Sequence, residues 1–429
     1  MLTSLCLYAA VTLVFFVTTA PERLSAHTPF NHFALLADAW LHGRLDLGGP
    51  PPAYTGNNDF AVFHDRYFVS FPPFPAVLIA PLVKLAGSAD KVRDGRFFLW
   101  FAGVGPAALY LALDKLSRGG RSRLRDGENI GLAALFALGT VYWFSSVQGT
   151  VWFAAHTVGV ALAGLYILFS LDAEHPFLAG LCLALGYATR TPLGFAFPLF
   201  LYEAHRAASL ADAEPSDTFA PRLGRADLRA LAGTLATFAA PAMLVVALLF
   251  WHNRARFGDP FEFGHHHLAI GWRGRIDRWG LFSYHYLGRN LGVILTSLPY
   301  TGVPEAPFQI NVHGLALWVT SPFYAWAFWP KRATPTFLAF ALTAAFVAAP
   351  SLLYQNSGWI QFGYRFSNDF APFLIVMIAL GGRRLSAPFW ALGAAAVAVN
   401  AFGALTFQRG GFERYYFLDR TQRVLHQPD

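Results

Sequence analysis

The sequence predicts an all-α polytopic membrane protein, a bundle of about eleven spanning helices, and two observations predict it. The first is composition: of 429 residues, 55% are apolar and 13% are charged, against roughly 25% charged residues in an ordinary soluble domain. The second is spacing: apolar stretches of about 17 to 22 residues recur along the chain, the helical length that crosses a hydrocarbon core of about 30 Å. A soluble chain of this size would divide into about three domains of roughly 100 to 200 residues with polar linkers between them. That punctuation does not occur, and a chain this apolar is not disordered.

The first stretch, Leu2 to Ala20, lacks a basic flank and runs into Pro21, the pattern of a retained helix rather than a cleaved signal. Further spans are expected over 97–114, 129–145, 151–171, 177–189, 191–205, 230–251, 313–329, 335–353, 367–381 and 387–405. The apolar run Phe71 to Gly87 is set apart by Pro72, Pro73, Pro75 and Pro81. Proline removes the backbone donors that a spanning helix needs, so this run is expected as a re-entrant or interfacial helix.

Charge supports that choice. With the run not crossing, the short loops on one side carry Lys115, Arg118, Arg121, Arg123, Arg125, Arg206, Arg222, Arg225, Arg229, Lys331, Arg332, Arg383 and Arg384, while the opposing short loops carry only Arg190 and Arg365. This asymmetry places the N-terminus in the cytoplasm. The expected organisation is a single transmembrane domain over 1–405, with outer loops at 21–96 and 252–312, a polar inner loop at 207–228 and an outer tail at 406–429. The formal charge of +7 is then a matter of topology, and no nucleic-acid partner is indicated. Cys6 and Cys182 both lie in apolar stretches, so neither an extracytoplasmic disulfide framework nor a cysteine metal site is indicated.

Function is expected at the outer face. Of the 14 histidines, only His175 and His205 lie toward the cytoplasm. In the first outer loop, Phe33, Leu36, Ala37, Trp40 and Leu41 follow helical spacing, so Asn31 to Arg44 reads as an amphipathic interfacial helix. Asp38 falls within a turn of the apolar stripe. It is either a partly desolvated carboxylate suited to general-base work or a solvated residue of the polar side. The stretch Asp59 to Pro75 runs from an extended segment, through a turn at His64, Asp65 and Arg66, into the proline-rich helix. His64 is read either as a substrate contact or as a solvated turn tip.

Five blocks carry a resemblance: LADAWLHGRLDL, DFAVFHDRYFVSFPPFPAVLIAP, GYATRTP (186–192), RARFGDPFEFG (254–264) and FGYRFSNDFAPF (362–373). In their order and topology they resemble bacterial members of the type C (GT-C) glycosyltransferase superfamily, polytopic plasma-membrane enzymes related to protein O-mannosyltransferases and lipid A aminoarabinose transferases. The likeness extends to about residue 405. Two departures stand out: there is no soluble C-terminal domain such as some relatives carry, and residues 146–150 hold no acid where some relatives place a second one.

The resemblance implies transfer of a sugar from a polyprenyl-phosphate donor to a glycan, lipid or protein acceptor, with Asp38 as general base and Asp59 as a further catalytic candidate. A lipid phosphate leaves as a stable anion, so one carboxylate suffices where a glycosidase needs two. That leaving group calls for positive charge and hydrogen-bond donors. Arg365 and Arg190 are the expected phosphate ligands, because arginine at membrane depth marks a function or a buried partner. For Arg365 the structural alternative is a pair with Asp369, and for Arg190 it is snorkelling to the interface. Arg256 is expected at substrate or at lipid headgroups.

The cofactor is open. A divalent metal is one option, with one of His265, His266 and His267 joining Asp38 or Asp59; three consecutive histidines cannot all face one ion. The competing class is a transporter or flippase of a lipid-linked or small solute. Such a protein usually shows paired repeats and polar or broken helices at the midplane, whereas here ionisable residues gather at one face.

Overall fold

The computed structural model describes residues 1–209, 227–301, 304 and 306–416. Arg222 and Arg225, most of the polar segment 207–228, and the tail beyond residue 416 lie outside the described residues. The described chain is mostly helical. Its helices of ten or more residues are α1 (Leu2–Thr18), α2 (His32–Leu41), α3 (Phe74–Ala86), α4 (Val104–Arg118), α5 (Asp126–Leu138), α6 (Val151–Ser170), α7 (Pro176–Tyr187), α8 (Phe197–Ser209), α9 (Leu228–Phe257), α10 (Leu287–Thr296), α11 (Pro335–Leu353), α12 (Ala371–Leu380) and α13 (Ala387–Thr406).

Among the described residues, five helical segments are long and apolar enough to cross a membrane: Asp94–Arg118, Val151–Ala173, Leu228–Phe257, Pro335–Leu353 and Ala387–Thr406. The chain is accordingly a multi-pass membrane protein. α3 has 13 residues, about 20 Å at 1.5 Å per residue, which falls short of a hydrocarbon core of roughly 30 Å. α7 and α12 are shorter still.

The structure departs from the sequence expectation in several places: the expected span 129–145 is broken between Leu138 and Tyr142, 191–205 opens as a 3₁₀ helix over Thr191–Ala196, and two further departures change the architecture. The all-α description is amended by two small antiparallel hairpins, of which β1 (Phe60–Phe63) and β2 (Arg66–Val69) pair with Phe60 opposite Val69 and Phe63 opposite Arg66. His64 and Asp65 form the connection with φ of 49° and 58°, the left-handed pair that a two-residue turn requires.

The second departure is at 313–329, where no continuous helix forms. The segment breaks into Leu317–Thr320, a 3₁₀ turn at Pro322–Tyr324 and Ala325–Phe328. Its start is extended: the Leu315 amide donates to the Phe362 carbonyl at 2.9 Å and the Tyr364 amide donates to the Leu315 carbonyl at 3.3 Å. Pro322 then bars helical geometry at Ser321 (φ −147°, ψ 62°).

Small residues let the helices approach closely. A Cβ on Gly164 of α6 would stand 2.8 Å from the Gly105 carbonyl oxygen of α4, and one on Gly180 of α7 would collide with the Phe238 carbonyl of α9. Such contacts suit helices that gain little from hydrophobic burial among lipids.

There are two main apolar cores. The larger fills the bundle, with Phe136, Phe144, Phe200, Phe340 and Phe373 at its centre. The smaller joins the first long loop to one end of α6: Phe33, Leu36, Phe60, Ile79 and Val83 pack against Val151, Ala155 and Val158. This second core docks α2, the β1–β2 hairpin and α3 on the bundle as a fixed cap.

The other end of the bundle is tied by ions. Arg121 donates to Glu203 at 2.6 Å and to Asp172 at 3.0 Å, Arg206 reaches Asp172 at 2.8 Å, and Lys115 lies 2.8 Å from Glu174. Glu203 is fully buried. A buried carboxylate needs such partners, and the cluster joins the ends of α4, α6 and α8.

Candidate functional site

A cavity of about 420 Å³ opens between the capped end of the bundle and the two long loops. The first loop contributes Asp59 and Phe71 to Pro73, and the start of α6 contributes Trp152 and Phe153. The turn after α7 brings Arg190, the end of α9 brings Asn253 and Arg256, and the second long loop brings His265 and Trp272. The irregular stretch after α11 brings Tyr354, Gln355 and Trp359, and the 3₁₀ turn Arg365–Asp369 that follows it brings Arg365. Most of the wall is aromatic or aliphatic, with a few converging polar groups, the usual make-up of a small-molecule site.

Among the described residues, Asp59 is the only carboxylate on that wall. It sits just before β1 in left-handed geometry (φ 61°), and the Trp152 indole Nε1 donates to its Oδ2 at 2.8 Å. Burial pushes its carboxyl above the usual carboxylate range, partly offset by the Trp152 hydrogen bond and by the charge of Arg365. The combination is a carboxylate oriented by one donor and weakly solvated, the state in which a general base is effective.

Arg365 faces the same space. Its backbone amide donates to Gln361 Oε1 at 3.1 Å and one terminal nitrogen donates to the Trp359 carbonyl at 3.2 Å. The guanidinium lies 5.0 Å from the Phe153 ring centroid and 5.4 Å from that of Phe366. Among the described residues no carboxylate comes within ion-pair distance of it, and its other terminal nitrogen has no protein partner. Burial, helped by the nearby Arg190, lowers its pKa to about 9, with Asp59 acting in the opposite sense. It therefore stays cationic at neutral pH and presents an unspent donor to the cavity.

Arg190 is already engaged. Its Nε and a terminal nitrogen donate to the two carboxylate oxygens of Asp369 at 3.0 and 2.6 Å, and its guanidinium lies 5.2 Å from the centre of the Phe366 ring. His156 Nδ1 stands 3.5 Å from the same carboxylate. Asp369 is thus the partner of Arg190 and not of Arg365. Arg256 is likewise used: it donates to the Val69 carbonyl and to Asn253 Oδ1, both at 2.8 Å, clamping the end of α9 to β2.

The cavity therefore gathers Asp59, Arg190, Arg256 and Arg365, and two predicted residues lie elsewhere. Asp38 on α2 keeps 25% of its side chain exposed, has the ring of His42 at 3.8 Å and does not line the cavity. His64 is exposed at the β1–β2 turn, stacked on Phe63 at 4.0 Å. Sequence reasoning missed Trp152, whose only signal was a polar-capable aromatic in the first turn of a span. It also missed the pairing of Arg190 with Asp369.

The described residues around the cavity do not make up a metal-binding set. Asp59 and His265 both line the cavity, but among the described residues no three His, Cys, Asp or Glu side chains gather where they could hold one. That donor set falls short of the three protein ligands of a catalytic metal centre.

No family model and no curated protein sequence matches the chain. Among solved structures, the fold is similar to that of the oligosaccharyltransferase of Archaeoglobus fulgidus. In its apo form the TM-score is 0.54 at 13% identity over 94% of this chain and 56% of that one. The form tethered through a disulfide to an acceptor peptide with the NVT sequon gives 0.53 at 13% identity over 94% and 55%. The complex with zinc and sulfate gives 0.51 at 15% identity over 95% and 52%. The chain spans about half the length of that enzyme. At such identity the likeness shows the fold alone.

Proposed function

We propose that the chain is a membrane glycosyltransferase that moves a sugar from a polyprenyl-phosphate donor to an acceptor hydroxyl. It works at the extracytoplasmic face of a bacterial plasma membrane, with the N-terminus inside and a single transmembrane domain over 1–405 of about eleven spans. The observation that carries this reading is the pairing, in one aromatic cavity, of a lone oriented carboxylate with an arginine whose outer nitrogen is unspent. Asp59 takes the proton of the acceptor hydroxyl as its oxygen bonds to the anomeric carbon. The bond from that carbon to the phosphate oxygen breaks, and polyprenyl phosphate leaves as an anion met by Arg365. A single carboxylate supports one-step displacement with inversion, since a retaining route needs a second one as nucleophile. Arg190, neutralised by Asp369, supplies a rigid wall beside the phosphate rather than a free charge.

The test uses purified protein in proteoliposomes with short-chain polyprenyl-phospho-hexose and polyprenyl-phospho-pentose labelled in the sugar, and a lipid and glycan extract as acceptor. Label is expected to leave the carrier with the parent protein and to stay on it with Asp59→Asn. Accumulation of intact donor in the opposite leaflet, without product, would overturn the transferase in favour of a flippase.

A further inference from the structure

We infer that His32 is the positioning residue that holds Asp59 in its working geometry, an inference that rests on the reading of Asp59 as base. His32 opens α2 and is completely buried, although it lines no part of the cavity. Its Nε2 lies 2.8 Å from the carbonyl oxygen of Asn58, the residue before Asp59. A carbonyl only accepts, so Nε2 carries the proton and the ring is a neutral donor in this tautomer. Burial, which lowers the ring's pKa to about 4, keeps it in that form.

The peptide that His32 grips needs holding. Asn57 and Asp59 both take left-handed backbone geometry, with φ of 53° and 61°, a conformation uncommon outside glycine that asparagine and aspartate adopt more readily than other residues and that local contacts fix in place. Asn58, between them, is exposed, so its carbonyl would otherwise turn to water. The ring is also wedged among the aromatics that shape the acid's pocket. It stacks on Phe60 at 4.3 Å and 12°, meets Phe71 edge-on at 5.4 Å, and lies 6.2 Å from Trp152. Trp152 is itself the donor to Asp59. His32 thus sets the carboxylate twice, through the backbone before it and through the side chain that orients it.

His32→Phe keeps the ring and its stacking but removes the donor, and His32→Gln keeps a donor at similar reach. With the labelled polyprenyl-phospho-sugar assay, His32→Phe is expected to lower kcat on the order of a hundredfold, the cost of about 1 Å of misplacement, with KM for the donor unchanged. His32→Gln is expected to restore most of that loss. In an Asp59→Asn background His32→Phe is expected to cause no further loss, because its effect passes through the carboxylate. Full turnover by His32→Phe, equal losses in both variants, or an undiminished effect in the Asp59→Asn background overturns the inference. If His32→Phe does not fold, His32→Gln decides alone: retained turnover supports the role, and a hundredfold loss at unaltered thermal stability overturns it. Full turnover by Asp59→Asn itself instead sinks the reading of the base.

Discussion

Arg190, on the cavity wall, and Asp369, 179 residues away in sequence, form a two-pronged ion pair at 3.0 and 2.6 Å. The pair joins the turn after α7 to the turn before α12 and fixes the wall on which Arg365 sits. Removing one partner of a buried pair leaves the other charge unsatisfied, whereas replacing both by apolar groups is often neutral. Asp369→Ala is therefore expected to cost about 3 kcal/mol, the low end of the usual range because Arg190 is partly open to the cavity. Arg190→Met with Asp369→Leu is expected to regain most of that stability without regaining donor binding. Thermal unfolding in detergent and binding of a short polyprenyl phosphate measure the two effects separately.

Arg365 has an unspent donor where the phosphate is proposed to sit. A hydrogen bond to a charged group contributes about 1.5 to 3 kcal/mol, so Arg365→Ala is expected to weaken binding of polyprenyl phosphate by roughly 10- to 100-fold. Arg365→Lys should recover only part of this, since a point charge does not reproduce the planar fork held between Phe153 and Phe366. Equilibrium binding of the labelled lipid phosphate is the measurement, and an unchanged Kd moves the phosphate site elsewhere.

Much of the bundle was legible because hydrophobic spacing survives into structure. The expected spans 151–171, 335–353 and 387–405 match α6, α11 and α13 nearly residue for residue, and Asn31 to Arg44 contains α2. The segment 313–329 was not legible: its apolar run reads as a span, but Ser321–Pro322 and the pairing of Leu315 with Gly363 override periodicity. At the site, residue type pointed to Asp59, Arg190, Arg256 and Arg365, since charge is scarce in such a chain. Which arginine pairs with Asp369 is decided by packing of distant turns. Spacing within the FGYRFSND block offered Arg365 only as an alternative partner, and only the fold brings Arg190 to the carboxylate. For α2 the periodicity was right, yet it could not say that Asp38 turns toward His42.

Asp38 and His64 supply the contrast with Asp59. Both lie outside the lining, one beside His42 and the other at an exposed turn. Asp38→Asn and His64→Asn are each expected to change kcat/KM by less than about twofold, the scale of surface substitutions that fall within roughly 0.5 kcal/mol. Initial rates in the donor-consumption assay give the answer. A loss of several hundredfold in Asp38→Asn with Asp59→Asn still active returns the base to α2.

The raised pKa of Asp59 makes a paired prediction about rate and stability. As a base it acts only when ionised, so kcat/KM should fall on the acid side through a limb lying above the ordinary carboxylate range near about 4, displaced by burial. For stability the sign is the reverse of a salt-bridged acid. Between the unfolded and folded pKa values the native state binds more protons than the unfolded chain, so this carboxylate lowers stability as pH rises. Asp59→Asn is then expected to lose turnover by about 10² to 10⁴-fold while melting above the parent protein at pH 7. That gap should close as the pH drops toward about 4, because the parent's carboxyl becomes neutral there too. Melting curves of both proteins between pH 4 and pH 8 check the sign, and an Asn variant that melts below the parent at pH 7 would show that the charge of Asp59 stabilises the fold.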